Sequence, residues 1–239
     1  MEKVSVIIPT FNRFKYVLNT INSVKNQTYS NIEIIVVNDC SSEKDYYTHN
    51  WDDEGVIFLS LKENSKKKFG YGSAANTRNK GIEISTGFYI AFCDDDDIWF
   101  PSKLELQVKA MKDSGCKMCC TDGLIGNGIY NECENYKKYN KEYYYSDIKN
   151  IYKKKNSKLL DNGYPKIWNY EFIKIHNCII CSSVIIKKEI LNSINNFTKL
   201  KPPGEDYDCW IRALKYTDCV YIDDICFYYD SGHGKGRNY

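Results

Sequence analysis

In the first hundred residues, apolar runs of strand length alternate with segments of helical spacing, and this alternation restricts the fold more than any other feature. "KVSVIIPTF" is a continuous apolar run, as expected of a strand buried on both faces. Tyr16, Val17, Thr20, Ile21 and Val24 then recur at helical spacing. "NIEIIVVNDC" repeats the strand signature, and Ser41, Ser42 and Glu43 offer a helix start. "GVIFLSL" is a third run, "GSAANTRNKGIEIST" reads as a helix opening at Ser73, and "FYIAFC" is a fourth strand. The pattern predicts an α/β fold with a mainly parallel sheet flanked by helices. Ligands of such sheets bind beyond the carboxyl ends of the strands. That edge carries Pro9 to Arg13, Asn38 to Ser41, and Asp94 to Asp97.

Composition excludes several classes. A formal net charge of +2 over 239 residues argues against a polyanion-binding or disordered chain, so no nucleic-acid partner is expected. No apolar run approaches the roughly 20 residues of a membrane helix. The N-terminal run, ended by Pro9, is too short for a signal peptide. The expectation is a soluble cytoplasmic protein. Eleven scattered cysteines in apolar segments suit reduced thiols. The pairs Cys116/Cys119 and Cys178/Cys181 match zinc-ligand spacing but sit in strand-like runs, against a zinc site. No G-x-G-x-x-G follows the first run, which argues against a dinucleotide held on a glycine-rich turn.

From about Gly126 to Tyr170 the character changes: nine tyrosines appear with abundant Lys and Asn. This reads as a compositional drift in a surface insertion, or as an aromatic wall for a sugar or peptide. "NCIICSSVIIKKEIL" then returns to a β-type run, "GEDYDCWIRAL" reads as a helix, and the chain closes with "DSGHGKGRNY".

The aspartate run is the sharpest chemical signal. Four adjacent carboxylates repel one another, and a divalent cation relieves that cost. On a strand Asp94 and Asp96 share a side, and D-x-D supplies hard oxygen ligands for Mg²⁺ or Mn²⁺. Asp95 and Asp97 read as structural or solvated. Asp39 could accept from a uracil-type base or cap the next helix. Glu205 and Asp206 follow Pro202, Pro203 and Gly204 at a helix start, where anions are favoured for structural reasons alone. Asp208 and Arg212 form a plausible i,i+4 pair. In the tail, His233, Lys235 and Arg237 alternate with glycines, as in a frayed terminus or a cationic lid.

In this order, "VSVIIPTFNR", "IEIIVVNDCSS", "AANTRNKGIEISTGFYIAFCDDDDIWFPSKLE" and "GEDYDCWIRAL" resemble the family 2, GT-A-fold, inverting, nucleotide-sugar-dependent glycosyltransferases. The resemblance implies a single GT-A domain over 1–239, with a nucleotide-sugar-binding half (1–112). An acceptor-binding half (113–239) then forms a smaller subregion containing the insertion. It assigns Pro9, Thr10, Phe11, Arg13, Asp39, Arg78, Asp94 and Asp95 to the nucleotide sugar, Asp96 and His233 to the metal, and Asp206 as catalytic base. Glu205 and Trp210 would support the acceptor side. The implied reaction transfers a sugar from a donor, UDP-linked in many members, to a glycan, lipid-linked sugar or protein, which would place the protein at a membrane through its acceptor. The chain departs from the family pattern at Asn38, Cys40, Phe11 and Asp95. Gln27 and Gln107 lack the Q-x-x-R-W context of processive synthases, which points to single additions. The competing readings are a nucleotidyltransferase and a non-catalytic carbohydrate-binding derivative.

Overall fold

The structure, a computed structural model, describes residues 1–232. Its first part runs β1 (Val4–Thr10), α1 (Phe14–Lys25), β2 (Ile32–Asn38), α2 (Asp45–Thr48), β3 (Val56–Ser60), α3 (Ser65–Phe69), α4 (Ala74–Ile84), β4 (Tyr89–Phe92), β5 (Ile98–Trp99) and α5 (Lys103–Ser114). Strands β3, β2, β1 and β4 are neighbours in that order and all parallel. Successive residues of a strand face opposite sides, and here both sides are buried. Val6, Ile8 and Ala91 enter one core with Val17, Ile21 and Val24 of α1. Ile7, Ile90 and Phe92 enter the other with Ala75 and Ile82 of α4. This two-sided burial is why the strands read as unbroken apolar runs. Helix α4 lies so close to the sheet that a Cβ on Gly81 would sit 2.5 Å from Ile7 Cγ2.

The second part comprises β6 (Met118–Gly126), β7 (Lys137–Lys138), a π-helical turn (Tyr139–Tyr143), α6 (Tyr145–Lys154), β8 (Ile167–Trp168), α7 (Tyr170–Ile173), β9 (Ile185–Lys187), α8 (Lys188–Ser193), α9 (Glu205–Ala213) and β10 (Cys219–Asp230). The sheet continues β4-β9-β6-β10-β5, with β7 beside β6 and β8 beside β10. Of these added pairings only β6–β10 is parallel. The sheet is therefore parallel through β3, β2, β1 and β4 and mixed beyond them.

Three expectations are corrected locally. Ser41 and Ser42 do not open a helix. Ser41 Oγ accepts from Asn12 N (2.8 Å), and Ser42 N donates to Asn12 Oδ1 (2.8 Å), so both serines pin the loop after β1 and α2 starts later. Only Ile185–Lys187 of "NCIICSSVIIKKEIL" is a strand, because a 3₁₀ turn precedes it and α8 follows. The 126–170 segment is not a loose surface insertion: Ile148, Tyr152, Leu160 and Trp168 are buried in the core shared with α9. Cys116, Cys119, Cys178 and Cys181 are buried free thiols. Among the described residues no helix is long and apolar enough to cross a membrane.

Candidate active site

The parallel strands β1, β2 and β4 end on one edge, and residues following β1 and β4 reach the site. Strand β4 stops at Phe92, and Asp97 N donates to Asp94 O (3.1 Å), so the acids lie in a turn. The strict strand alternation is lost there. Asp94 pairs with Arg78 of α4 (Nη2 to Oδ1, 2.5 Å). Asp95 and Asp96 both turn to Arg13, with Nη1 at 3.0 Å from Asp95 Oδ1 and 2.7 Å from Asp96 Oδ2. Asp97 turns inward, its Oδ1 accepting from Asp230 N of β10 (2.9 Å) while its carbonyl accepts from Thr20 Oγ1 (2.8 Å). Of the two sequence readings for Asp97, structural or solvated, the structural one holds. Asp95 is likewise buried.

Burial raises the Asp95 carboxyl, with Arg13 pulling it down. Burial and then the Asp95 charge raise Asp96 well above the usual carboxylate range. Burial opposes the Arg78 charge, but Asp94, Cys181 and Glu205 outweigh it and raise its pKa further.

Helix α9 brings the remaining acids. Gly204 precedes it at φ +120°, a conformation open to glycine. Glu205 is buried, and Asp206 Oδ1 accepts from Tyr207 N (2.7 Å). Burial raises the Asp206 carboxyl, Arg78 opposes that, and Glu205 adds to it. The Asp208–Arg212 pair forms as expected, with Nε at 2.8 Å from Oδ2. Trp210 is fully buried against Phe92 and Phe197, so its support is to the core beneath the helix.

These groups face a cavity of about 580 Å³, within the roughly 300–1,000 Å³ typical of ligand pockets. Arg13, Arg78, Asp94, Asp95, Asp96, Glu205 and Asp206 all line it. Pro9, Thr10 and Phe11 do not. Pro9 and Thr10 are buried, and the Thr10 and Tyr46 hydroxyls share a hydrogen bond of 2.5 Å that holds the loop from behind. Asp39 also stands back from the cavity. Its carboxylate accepts from Ser65 N (3.0 Å), Ser65 Oγ (2.6 Å) and Asn64 Nδ2 (3.0 Å), and burial raises its pKa to about 6. It therefore braces the start of α3, rather than the helix directly after it. His233 lies outside the described residues.

Sequence reasoning missed Tyr139, Tyr229, Lys66 and Lys201, which line the same cavity. Tyr139 opens the π-helical turn, which Asp122 anchors by accepting from Asn140 N (2.9 Å). Nothing singled it out among nine tyrosines. The Tyr139 and Tyr229 rings meet edge to face at 5.9 Å.

The donor set suits a divalent cation bound together with phosphate. Among the described residues, five carboxylates (Asp94, Asp95, Asp96, Glu205, Asp206) line the cavity with four cations (Arg13, Arg78, Lys66, Lys201), and both arginines are already paired. A diphosphate would add negative charge there, and among the described residues Asp95 Oδ2 is buried without a hydrogen-bond partner. Among the described residues no three His, Cys, Asp or Glu side chains converge as a closed metal cage.

A sheet whose parallel strands carry acids at their carboxyl edge, facing a helix-borne carboxylate across one cavity, is the architecture of a GT-A transferase. Residues 5–191 match the sequence profile described as glycosyl transferase family 2, and the chain belongs to that family. It is 34% identical over 214 residues to an uncharacterized glycosyltransferase of Rickettsia bellii, covering 87% of this chain and 26% of that protein. The chain thus spans about a quarter of that relative's length. It is 29% identical over 213 residues to the Escherichia coli UDP-Glc:alpha-D-GlcNAc-diphosphoundecaprenol beta-1,3-glucosyltransferase WfgD, covering 89% of this chain and 70% of that protein. Staphylococcus aureus TarS, solved with UDP-GlcNAc, superposes with a TM-score of 0.66 at 19% identity, over 98% of this chain and 60% of that one, and shows the shared fold.

Proposed function

We propose that this chain is an inverting, non-processive glycosyltransferase that moves a sugar from a UDP-linked donor to a hydroxyl of a lipid-linked saccharide. The observation that carries the reading is the shared cavity, where Asp94, Asp95 and Asp96 with their arginines line the same space as Asp206. Residues 1–112 bind the donor and 113–239 the acceptor. WfgD, by its name, uses UDP-Glc and a diphosphoundecaprenol-linked acceptor, and TarS was solved with UDP-GlcNAc; both support the choice of substrate classes.

In this mechanism the Asp206 carboxylate accepts the acceptor hydroxyl's proton as its oxygen attacks the anomeric carbon from the face opposite the leaving group. The bond from that carbon to the phosphate oxygen breaks, its electron pair leaves with UDP, and the configuration inverts. Arg78 holds Asp94 toward the donor, and Arg13 positions Asp95 and Asp96. Asp96, with Asp94, would hold Mn²⁺ or Mg²⁺, which supplies charge neutralisation of the departing diphosphate.

The test is release of nucleotide from a panel of UDP-, GDP-, dTDP- and CMP-sugars with Mn²⁺. Turnover of a UDP-sugar, abolished by chelation and by Asp96→Ala, is expected. Failure to bind or turn over any donor, with or without metal, overturns the reading.

A further inference from the structure

Two segments far apart in sequence form a cationic and apolar rim beside the mouth of the cavity. One is α3, where Lys66, Lys67 and Lys68 are all exposed and Phe69 follows. The other carries Lys199, Leu200 and Lys201, also exposed, with Leu200 at 44%. They are locked together: Tyr71 OH donates to Lys199 O (3.0 Å), and the Lys199 ammonium lies 5.6 Å from the Phe69 ring centre. Lys68 approaches the same ring at 5.5 Å. Lys66 and Lys201 line the cavity while remaining exposed, so the rim borders the opening itself.

The charge here is concentrated and available. The whole chain carries a formal +2, yet this rim holds five lysines. Among the described residues only Lys67 of the five is ion-paired, to the exposed Glu63 at 3.9 Å. Lysines around the exposed Leu200 and the half-buried Phe69 match the interface of an anionic bilayer, where ammonium groups meet headgroups and apolar side chains enter the acyl boundary.

We propose that this rim docks the protein on an anionic lipid bilayer, with the cavity mouth turned toward the membrane. The proposal extends the reading of a lipid-linked acceptor. Docking would deliver a saccharide carried on a membrane lipid to Asp206 without a membrane-spanning helix. A flat anionic surface also suits lysines spread over two segments better than a single small anion would.

Flotation with vesicles tests it on the full chain. The protein should float with vesicles containing phosphatidylglycerol and not with pure phosphatidylcholine, and added salt should release it. Each lysine near such a surface contributes roughly a fivefold factor in partitioning. The triple variant Lys67→Gln, Lys68→Gln, Lys199→Gln should therefore lose on the order of a hundredfold in binding. Its matched control is Lys153→Gln, Lys154→Gln, Lys155→Gln; both change the formal net charge from +2 to −1 (2 − 3). The control should keep most of the binding. Equal loss in both variants, no binding by the unmodified protein, or binding to single-stranded RNA but not to vesicles would each overturn the proposal. Nucleotide release from a UDP-sugar without vesicles should be unchanged in the rim variant. Vesicle binding without donor turnover would sink the functional reading alone; turnover without vesicle binding would sink the docking alone.

Discussion

Asp206 combines a cavity position with a carboxyl raised by burial and partly restored by Arg78. A base works only when ionised. Turnover should therefore fall as pH drops through that raised value, placing the acid limb of kcat above the ordinary Asp value of about 3.9. Asp206→Asn should lower kcat by about 10²–10⁴ and leave donor affinity nearly unchanged by calorimetry. Asp39 makes a separate prediction about stability. Its pKa is raised to about 6 in the folded chain, so the folded state holds the proton more tightly than the unfolded one. Stability from this group is present below about pH 4 and declines as pH rises toward 6, by on the order of 2–3 kcal/mol. Asp39→Asn should flatten that slope in urea titrations across the same range; an unchanged slope would contradict the assignment. At this scale the sequence drew attention to the acids at the strand ends, because carboxylates beside apolar runs are conspicuous, and of these Asp94, Asp95 and Asp96 line the cavity whereas Asp39 does not. It could not show that Asp39 faces Ser65, since the two are 26 positions apart in the chain and only the fold brings them together.

Among the elements, α4 shows what sequence patterning conveys. Ser73 was legible as a cap, and its Oγ accepts from Asn76 N (3.2 Å). The close approach of Gly81 to Ile7 was not legible, because it depends on how near the helix lies to β1. Gly81→Ala should cost about 1–2 kcal/mol in denaturant titrations, the steric conflict with Ile7 outweighing the ~1 kcal/mol gain in helix propensity. Combining it with Ile7→Ala should cost less than the sum of the two changes, as expected of residues in contact. Strands β1, β2 and β4 were readable because burial on both faces leaves a continuous apolar run. The short β5, β7 and β8 were not, since two-residue pairings leave no periodicity. The π-helical turn was equally hidden: its anchor is a buried carboxylate on another strand.

For the molecule as a whole, the proposed division between donor and acceptor sides can be tested kinetically. Tyr139→Ala should raise the acceptor KM about tenfold or more and leave the donor KM within about twofold, consistent with one stacked sugar face worth about 1–2 kcal/mol. Arg78→Lys should show the reverse pattern, because a single ammonium cannot reproduce the guanidinium fork. Equal effects of both variants on both constants would contradict the division. The fold class was readable at this scale, as was the ordered set of motifs that marks the family. The cavity's Tyr139 and Tyr229 were not, because a tyrosine-rich composition resembles any polar surface.

The Asp97–Asp230 contact joins positions 133 residues apart. During synthesis the acid turn after β4 is made early, while the strand that fixes its inner face emerges only near the end of the described chain. A nascent chain would thus hold the acid turn unbraced until β10 had paired with β6. The acid turn is therefore completed only with the last strand, and a chain truncated before Asp230 should be a poor transferase.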